Sequence, residues 1–163
     1  MVIVCVLLAG GILAGAAVPA NAATCYGEGC IGLNPSGTSC EQDAKTIGAM
    51  TVGGDGMLEL RWSPSCNASW GRFSTYWRSN TVGGHEGYGI SHVRVTAWNP
   101  GQPSQGVVGN VYGIFGEGSW WTGMVTGTTW SCTGVELYAQ DRSPGGMYSD
   151  TYSLGWTWGP CVA

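Results

Sequence analysis

Two histidines and ten carboxylates are the side chains through which this 163-residue chain could perform a hydrolytic reaction. A hydrolase needs a base within hydrogen-bond reach of a nucleophile. His85 lies in a Gly-rich stretch beside Glu86, and His92 falls on the polar side of a predicted strand, so both are interpreted as surface histidines. A glycosidase needs two carboxylates about 5–9 Å apart, and separation in sequence does not reveal that distance. The carboxylates that stay open for such a pair are Glu117, Glu136, Asp141 and Asp150. A hydrolase is the weakest function hypothesis, and no catalytic residue is assigned.

Cysteine is the other chemically active residue, with seven in the chain. Cys5 lies in an apolar N-terminal segment, and the remaining cysteines are even in number, so they can pair completely in an oxidising compartment. Spacing alone does not choose among the pairings, but loop sizes favour two local bridges and leave a third for the last two strands. The expected disulfides are Cys25–Cys30, Cys40–Cys66 and Cys132–Cys161. Zinc is not expected, because four residues separate Cys25 from Cys30, no second matching pair exists and neither histidine lies near a cysteine. No metal and no cofactor are predicted.

The first 22 residues are predicted to be a signal peptide. Everything from Val2 to Ala20 is apolar or small, and Ala20-Asn21-Ala22 matches the small-residue pattern of a cleavage site. A retained transmembrane anchor is the alternative, but the high Gly and Ala content and the position of the small residues favour cleavage. We therefore expect a secreted protein, residues 23–163, with no stable membrane insertion after cleavage.

Charge excludes one class of partner. Six Lys plus Arg stand against ten Asp plus Glu, which gives a net charge of −4 and a pI near 4.9. Phosphate backbones need clustered cations, so nucleic acid is not expected as a partner. The 44% hydrophobic content also excludes a disordered chain.

Short strands are the predicted elements, because Gly and Pro interrupt the chain too often for helices of ordinary length. The one helical candidate is a turn or two in residues 40–49. Residues 57–62 alternate, with Leu58, Leu60 and Trp62 on one face. Residues 90–98 place Val93, Val95 and Ala97 inward, and residues 151–158 place Tyr152, Leu154, Trp156 and Trp158 on one side. Further strands are predicted at residues 70–77, 107–112, 120–125 and 135–139.

This spacing indicates an all-β fold, a small antiparallel sandwich or barrel. A disulfide-stapled N-terminal loop region precedes the sheet, and residues 23–163 are predicted to form a single domain.

A family resemblance rests on the first half of the chain. The residues that carry it are Cys25-Tyr-Gly-Glu-Gly-Cys30-Ile-Gly-Leu-Asn-Pro35, then Cys40, then Leu58-Glu-Leu-Arg-Trp-Ser-Pro-Ser-Cys66-Asn-Ala-Ser-Trp70-Gly-Arg72. This pattern resembles the domain of unknown function 2690, and the terminal Trp158-Gly-Pro-Cys161-Val resembles its closing strand. Asn34 stands where the family usually has Asp, and residues 74–149 depart from the pattern. The resemblance implies an exported or membrane-tethered protein of actinobacteria and other Gram-positive bacteria, and it carries no established activity.

Aromatic residues are the remaining signal, with nine Trp and seven Tyr. Most of the Trp are expected in the core, because a Gly-rich sheet with two Phe needs large residues to fill it. Trp120 and Trp121 are adjacent, so on a strand they point to opposite faces and only one can face a given core. Residues 116–130 also lie outside the part that resembles the family. The predicted binding residues are Trp120, Trp121 and Trp130.

The leading function hypothesis is a non-catalytic interaction or accessory protein that binds another secreted or cell-surface protein. Low charge and Gly-flanked strands would leave sheet edges available for strand addition. The alternative is a carbohydrate-binding module for cell-wall or environmental polysaccharide, in which exposed rings stack on sugars.

Overall fold

The fold is all-β, as predicted, in the computed structural model of the chain. The structure describes residues 25–76, 81–82, 85–86, 88–101, 107–112, 118–127, 130–141 and 151–163. The predicted signal peptide lies outside these ranges. Within them the only helical segments are three short 3-10 turns, at Gly27–Cys30, Pro35–Gly37 and Ser39–Glu41. No helix of the described residues is long and apolar enough to span a membrane.

The described residues form eleven strands. They are β1 (Lys45–Val52), β2 (Gly56–Ser63), β3 (Ala68–Thr75), β4 (Thr81–Val82), β5 (His85–Glu86), β6 (Tyr88–Trp98), β7 (Val107–Tyr112), β8 (Ser119–Trp121), β9 (Val125–Thr126), β10 (Ser131–Asp141) and β11 (Thr151–Val162).

The helical turn predicted within residues 40–49 is wrong beyond its first residues. The 3-10 turn Ser39–Glu41 is all that forms there, and Lys45 already begins β1. β1 pairs antiparallel with β2 along its length, with a bulge between Thr46 and Gly48. Pairing with a strongly alternating neighbour therefore outweighs the weak local preference of this segment.

The strands form two antiparallel sheets that pack face to face. The first sheet has the order β1-β2-β3-β8, with β9 also paired to β3, and the second has the order β11-β10-β6-β7. β4 and β5 make a separate two-stranded ribbon. The architecture is a sandwich, one of the two arrangements that the strand spacing predicts.

Side chains from both sheets fill the space between them. Leu58 and Phe73 come from the first sheet, and Val93, Val95 and Val135 come from the second; all are buried in one cluster. Strand alternation places them on facing sides, which confirms the predicted inward faces of residues 57–62 and 90–98. Gly71 lies at a close approach of the two sheets, because a Cβ there would overlap the side chain of Thr133.

The N-terminal residues cover the outer face of the first sheet. Residues 25–44, called the cystine cap here, run over β3 and place Cys30 and Cys40 in a second buried cluster with Trp70 and Met124. Trp70 alternates with Phe73 across β3, so it points away from the sandwich core and into the cap. Backbone hydrogen bonds from Gly32 to Met124 O (2.9 Å) and from Met124 to Leu33 O (2.9 Å) fasten the cap to the chain between β8 and β9.

Three disulfides are present, and they are the three expected from the sequence. Two lie in or beside the cap, and the third joins neighbouring strands β10 and β11. The pairs are Cys25–Cys30, Cys40–Cys66 and Cys132–Cys161.

The last strand corrects the predicted facing of residues 151–158. Glu136 and Tyr138 are two positions apart on β10, whereas their partners on β11, Trp156 and Ser153, are three positions apart, so β11 has one extra residue here. Gly155 adopts a φ of 93°, a conformation that favours glycine, and allows the extra residue. Leu154 therefore packs on the core between the sheets. Trp156 lies opposite Glu136, on the outer face, and does not share a side with Leu154.

Candidate binding face

The outer face of the second sheet has no counterpart of the cystine cap among the described residues. Three of its strands, β6, β10 and β11, place alternate side chains there. In the register Gly134 of β10 lies between Thr96 of β6 and Trp158 of β11. One step along, Glu136 lies between Arg94 and Trp156.

Three indole rings dominate one end of this surface. Trp98, Trp156 and Trp158 are called the tryptophan face here. The ring of Trp158 lies edge-to-face against Trp98, with centroids 5.5 Å apart at 75°, and against Trp156, with centroids 5.5 Å apart at 70°. Trp98 and Trp156 are half-buried, but Trp158 is 69% exposed. Edge-to-face pairs of this kind add about 0.5–1.5 kcal/mol each, so the exposed ring is held in a defined orientation.

Gly134 makes the arrangement possible. It lies on the central strand between the strands that carry the tryptophans, and a Cβ there would come within 2.7 Å of Trp156 Cζ2. The missing side chain lets the Trp156 ring settle onto the sheet. Trp156 Nε1 is buried and has no hydrogen-bond partner among the described residues. Packing against the backbone therefore holds this ring, and hydrogen bonding does not.

Polar side chains occupy the other end of the face and bond to one another. The Ser153 hydroxyl donates to Glu136 Oε1 at 2.7 Å, and Arg94 Nη1 lies 3.6 Å from Glu136 Oε2. The hydrogen bond from Ser153 lowers the pKa of Glu136, and burial raises it. Tyr138 and Arg94 lower it as well, so the pKa lies below its ordinary value. Glu136 is therefore an ionised acceptor at neutral pH.

His92 lies beside this polar group. Its ring stacks on Tyr138 with centroids 3.7 Å apart and an interplanar angle of 20°. Burial lowers the pKa of His92 more than the nearby Glu136 carboxylate raises it. The neutral imidazole is thus favoured, and the predicted placement of His92 on the polar side of its strand is confirmed.

The chemistry available to the candidate catalytic residues follows from these contacts. A glycosidase acid needs a raised pKa, and Glu136 has a lowered one with both oxygens engaged. Glu117 and Asp150 lie outside the described residues, as do the side chains of His85 and Asp141. The geometry of the face therefore suits binding better than acid catalysis by Glu136.

The three predicted binding residues lie in different surroundings. Trp120 packs partly on the core between the sheets, whereas Trp121 packs on the cystine cap, where its Nε1 donates to Asn34 Oδ1 at 2.7 Å. The two rings thus take opposite faces of β8, as expected for adjacent residues. Trp130 is 57% exposed, and its carbonyl accepts from Asn99, the residue that follows Trp98. Their assignment as contact residues stays a prediction, and Trp130 is the most exposed of the three.

The expectation that most Trp residues lie in the core is wrong. Of the eight in the described residues, Trp70 alone is buried. Phe73, Leu58, Leu60, Met124 and several valines fill the interior. Trp70 and Trp121 lie on the outer face of the first sheet and Trp98, Trp156 and Trp158 on that of the second, whereas Trp120 packs partly on the core between the sheets. Sequence patterns did not identify Trp98, Trp156 and Trp158 as a surface group. The signal that could have found them is Gly155, which marks a bulge and therefore a change of facing.

One group of described residues could hold a metal ion by its geometry. The Sγ atoms of Cys25, Cys30, Cys40 and Cys66 all lie within 4.8 Å of one another. In the structure these four cysteines form the two disulfides of the cap.

A two-sheet sandwich with a cystine cap is thus the class of domain defined by the fold. The chain belongs to the family described as "Protein of unknown function (DUF2690)", whose model matches residues 28–133. The match runs through residues 116–130, so the expectation that this segment falls outside the family pattern is wrong. It stops before β11, which carries Trp156 and Trp158. No curated protein and no solved structure matches the chain.

Proposed function

We propose that this protein is an exported, non-catalytic binding domain that docks onto another exported or cell-surface protein through its tryptophan face. The observation that carries the proposal is the ring of Trp158, 69% exposed and braced by two further indoles. Export is supported by the predicted signal peptide and by the three disulfides, which form and persist in oxidising compartments.

An oriented and exposed indole is costly to leave in water and well suited to an interface. Trp is enriched among the residues that dominate binding energy, because it buries a large rigid surface at small entropic cost. Trp158 is already held by Trp98 and Trp156, so ordering its side chain on binding would cost little free energy. The tryptophan face can thus serve as the centre of a contact.

A protein partner is favoured over a sugar by the state of the polar groups. A glycan needs donors and acceptors for its hydroxyls, and Glu136, Arg94 and Ser153 already bond to one another. What the described face offers most is aromatic surface, which suits an apolar side chain of a protein.

The face also suits docking better than the edge strands β1 and β11 do. β1 and β11 lie at the ends of their sheets, and both carry bulges. Pro160 in β11 lacks a backbone N–H. Bulges and prolines are the features by which sheets discourage added strands, so strand addition at β1 or β11 is disfavoured.

Polysaccharide binding is the second candidate. Arg94 favours it, because its side chain is 45% exposed and lies in the same cross-strand row as Trp156. An exposed guanidinium near an indole can donate to sugar hydroxyls while the ring contacts the sugar's apolar face.

The test compares the wild type with Trp158→Ala and with a matched control, Tyr26→Ala. Tyr26 is also aromatic and 67% exposed, but it lies in the cystine cap. Each purified protein is immobilised and exposed to medium and surface extract of the producing strain, and separately to its cell-wall polysaccharide. Bound proteins are identified by mass spectrometry, and the affinity of the purified partner is then measured.

We expect the wild type and Tyr26→Ala to bind the same protein with equal affinity. Trp158→Ala should weaken that binding about 30-fold, or about 2 kcal/mol. Equal binding by Trp158→Ala would refute the assignment of the face. Binding of polysaccharide alone, lost in Trp158→Ala, would establish the second candidate in place of the first.

A further inference from the structure

The two cystines of the cap lie side by side, which neither bridge requires. Cys25 Sγ lies 3.7 Å from Cys40 Sγ, across the gap between the Cys25–Cys30 and Cys40–Cys66 bridges. All four Sγ atoms lie within 4.8 Å of one another. The fold thus brings together four sulfurs from chain positions between 25 and 66.

We propose that this cluster becomes a zinc site once both bridges are reduced, holding one Zn²⁺ through four thiolates. In a tetrahedral site with Zn–S bonds of about 2.3 Å, neighbouring sulfurs lie about 3.8 Å apart. The Cys25 and Cys40 sulfurs already lie at that separation. Within each bridge the sulfurs must move apart, and the Cα atoms, 5.1 Å and 5.6 Å apart, leave room for this by side-chain rotation.

The reaction balances with an external dithiol as the reductant. Each cystine takes two electrons and two protons from one dithiol, which becomes a disulfide, and the two bridges together yield four thiols. Binding of Zn²⁺ then releases the thiol protons, because thiolates are the ligands. Oxidation of the thiols would reverse the sequence and expel the metal.

Hydrogen bonds independent of the bridges hold the cysteines in place. Gly27 N donates to the carbonyl of Cys66 at 2.8 Å, and Cys40 N donates to Thr38 Oγ1 at 3.2 Å. The cap is also bonded to Met124 through its backbone. Reduction therefore frees the sulfurs without releasing the segments that carry them.

The surroundings suit a closed structural site. Cys30, Cys40 and Cys66 are fully buried, and Cys25 is half-buried, so a metal ion would enter past Cys25. A zinc tetrathiolate carries two negative charges that nearby donors must offset. The Ser65 hydroxyl donates to Cys66 Sγ at 3.8 Å.

A cation bonds to a residue that packs against the cluster. Arg61 donates to the carbonyl of Ala44 at 3.0 Å, and Ala44 packs against the buried group that contains Cys30, Cys40 and Cys66.

Zinc ligands are recognisable in a sequence when they come as cysteine pairs that are close along the chain. Here the fold brings the ligands together, since Cys66 lies in the turn between β2 and β3 and Cys40 lies in the cap. A four-cysteine site of this kind is invisible to local spacing.

The experiment uses the full chain in which Cys5, Cys132 and Cys161 are replaced by Ser, so that the four cluster cysteines alone remain. The protein is reduced without oxygen by a phosphine, freed of reductant, and given Zn²⁺ or Co²⁺. Bound zinc is measured after gel filtration, and the cobalt form is measured by absorption spectroscopy. The control adds Cys40→Ser and Cys66→Ser to the same background.

We expect one zinc per reduced chain, a higher melting temperature with zinc than without, and the cobalt absorption of a tetrahedral sulfur site. The control and the oxidised protein should show none of these. Less than one zinc in the reduced chain, or equal binding by the control, would overturn the proposal. A reduced chain that unfolds and is not refolded by zinc would overturn it as well.

Discussion

The two sheets carry tryptophan on both of their outer faces, but the faces have opposite environments. Trp70 on the first sheet is 3% exposed, because the cystine cap lies over it. Trp158 on the second sheet is 69% exposed. Both residues alternate out of the sandwich core in the same way. Whether an outward indole is buried or exposed therefore depends on which face the N-terminal segment covers. The face that the described residues leave uncovered is the one that we propose binds a partner.

Truncation of the two indoles should give the largest difference between the faces. Trp70→Ala removes a buried side chain and leaves a cavity under the cap, so we expect a loss of about 4 kcal/mol in the free energy of unfolding. Trp158→Ala should change that free energy by less than about 1 kcal/mol. Denaturant unfolding of both variants checks this. Equal losses would contradict the inference that Trp70 is part of a packed core and Trp158 is a surface residue.

The second-largest expected effect is the stability lost when a disulfide of the cap is removed. Cys40–Cys66 joins the cap to the turn before β3, and Cys25–Cys30 lies within the cap. The Cys40–Cys66 bridge closes a separation of 26 residues, and its removal by a double Ala variant should cost about 3.5 kcal/mol by loop entropy. The Cys25–Cys30 bridge closes a separation of five, so its removal should cost about 2 kcal/mol. Measuring the unfolding free energies of the two double variants gives the two losses and shows which is larger. A reversed order would show that cap packing outweighs chain entropy.

Truncation of a carboxylate should also cost more stability on the face covered by the cap than on the open face, but the difference should be smaller. Glu59 on the covered sheet is buried, accepts from Thr46 at 2.7 Å and pairs with Arg72 at 2.6 Å. Glu59→Ala leaves Arg72 without this partner, and we expect a loss of about 3 kcal/mol. Glu136→Ala on the open face should cost less than about 1 kcal/mol, because its Arg94 partner is half exposed to solvent. Thermal unfolding of the two variants at neutral pH tests the difference; similar costs would contradict it.

The smallest effect is the pH dependence of the open face. Burial places the folded pKa of His92 below its ordinary value of 6.5, so the unfolded chain takes up a proton first as pH falls. This contribution to stability is complete above the unfolded pKa and is lost as pH falls from that value through the folded pKa. We expect the wild type to lose more stability than His92→Gln between about pH 7 and about pH 5. Parallel pH curves in urea unfolding would refute the contribution of His92.

Acid should also reduce stability by protonating carboxylates, at a lower pH than the one at which His92 takes up its proton. The pKa of Glu136 is lowered chiefly by Ser153. Burial raises the pKa of Asp43, but the hydrogen bonds from Ser63 and Ser65 together lower it by more. The pKa of Asp43 therefore lies below its ordinary value. The stability that either carboxylate contributes is complete above its unfolded pKa and is lost as pH falls below it.

Alternation and spacing predicted much of the sandwich. The inward valines of β6 and the leucines of β2 follow from period-two patterning, and the disulfides follow from loop size. Alternation failed where a bulge intervenes, since Gly155 moves Leu154 and Trp156 to opposite faces. A one-residue insertion is a small event in sequence but reverses every side chain beyond it.

The open face could not be predicted, because it depends on contacts between distant parts of the chain. Trp98 and Trp158 meet only because β10 lies between their strands and contributes Gly134 at the crossing. The four cysteines of the cap are likewise brought together by the path of residues 25–44 over β3. Such sites follow from topology, which local patterns do not specify.

The Cys132–Cys161 bridge has a mechanical consequence. It joins β11 to β10 near the last residue, Ala163. A pull at that end would load the covalent bond before it could peel the hydrogen bonds of β11 from its neighbour one pair at a time. A tether or a fused domain attached after Ala163 would therefore leave Trp156 and Trp158 in register under tension, until the bond itself is reduced.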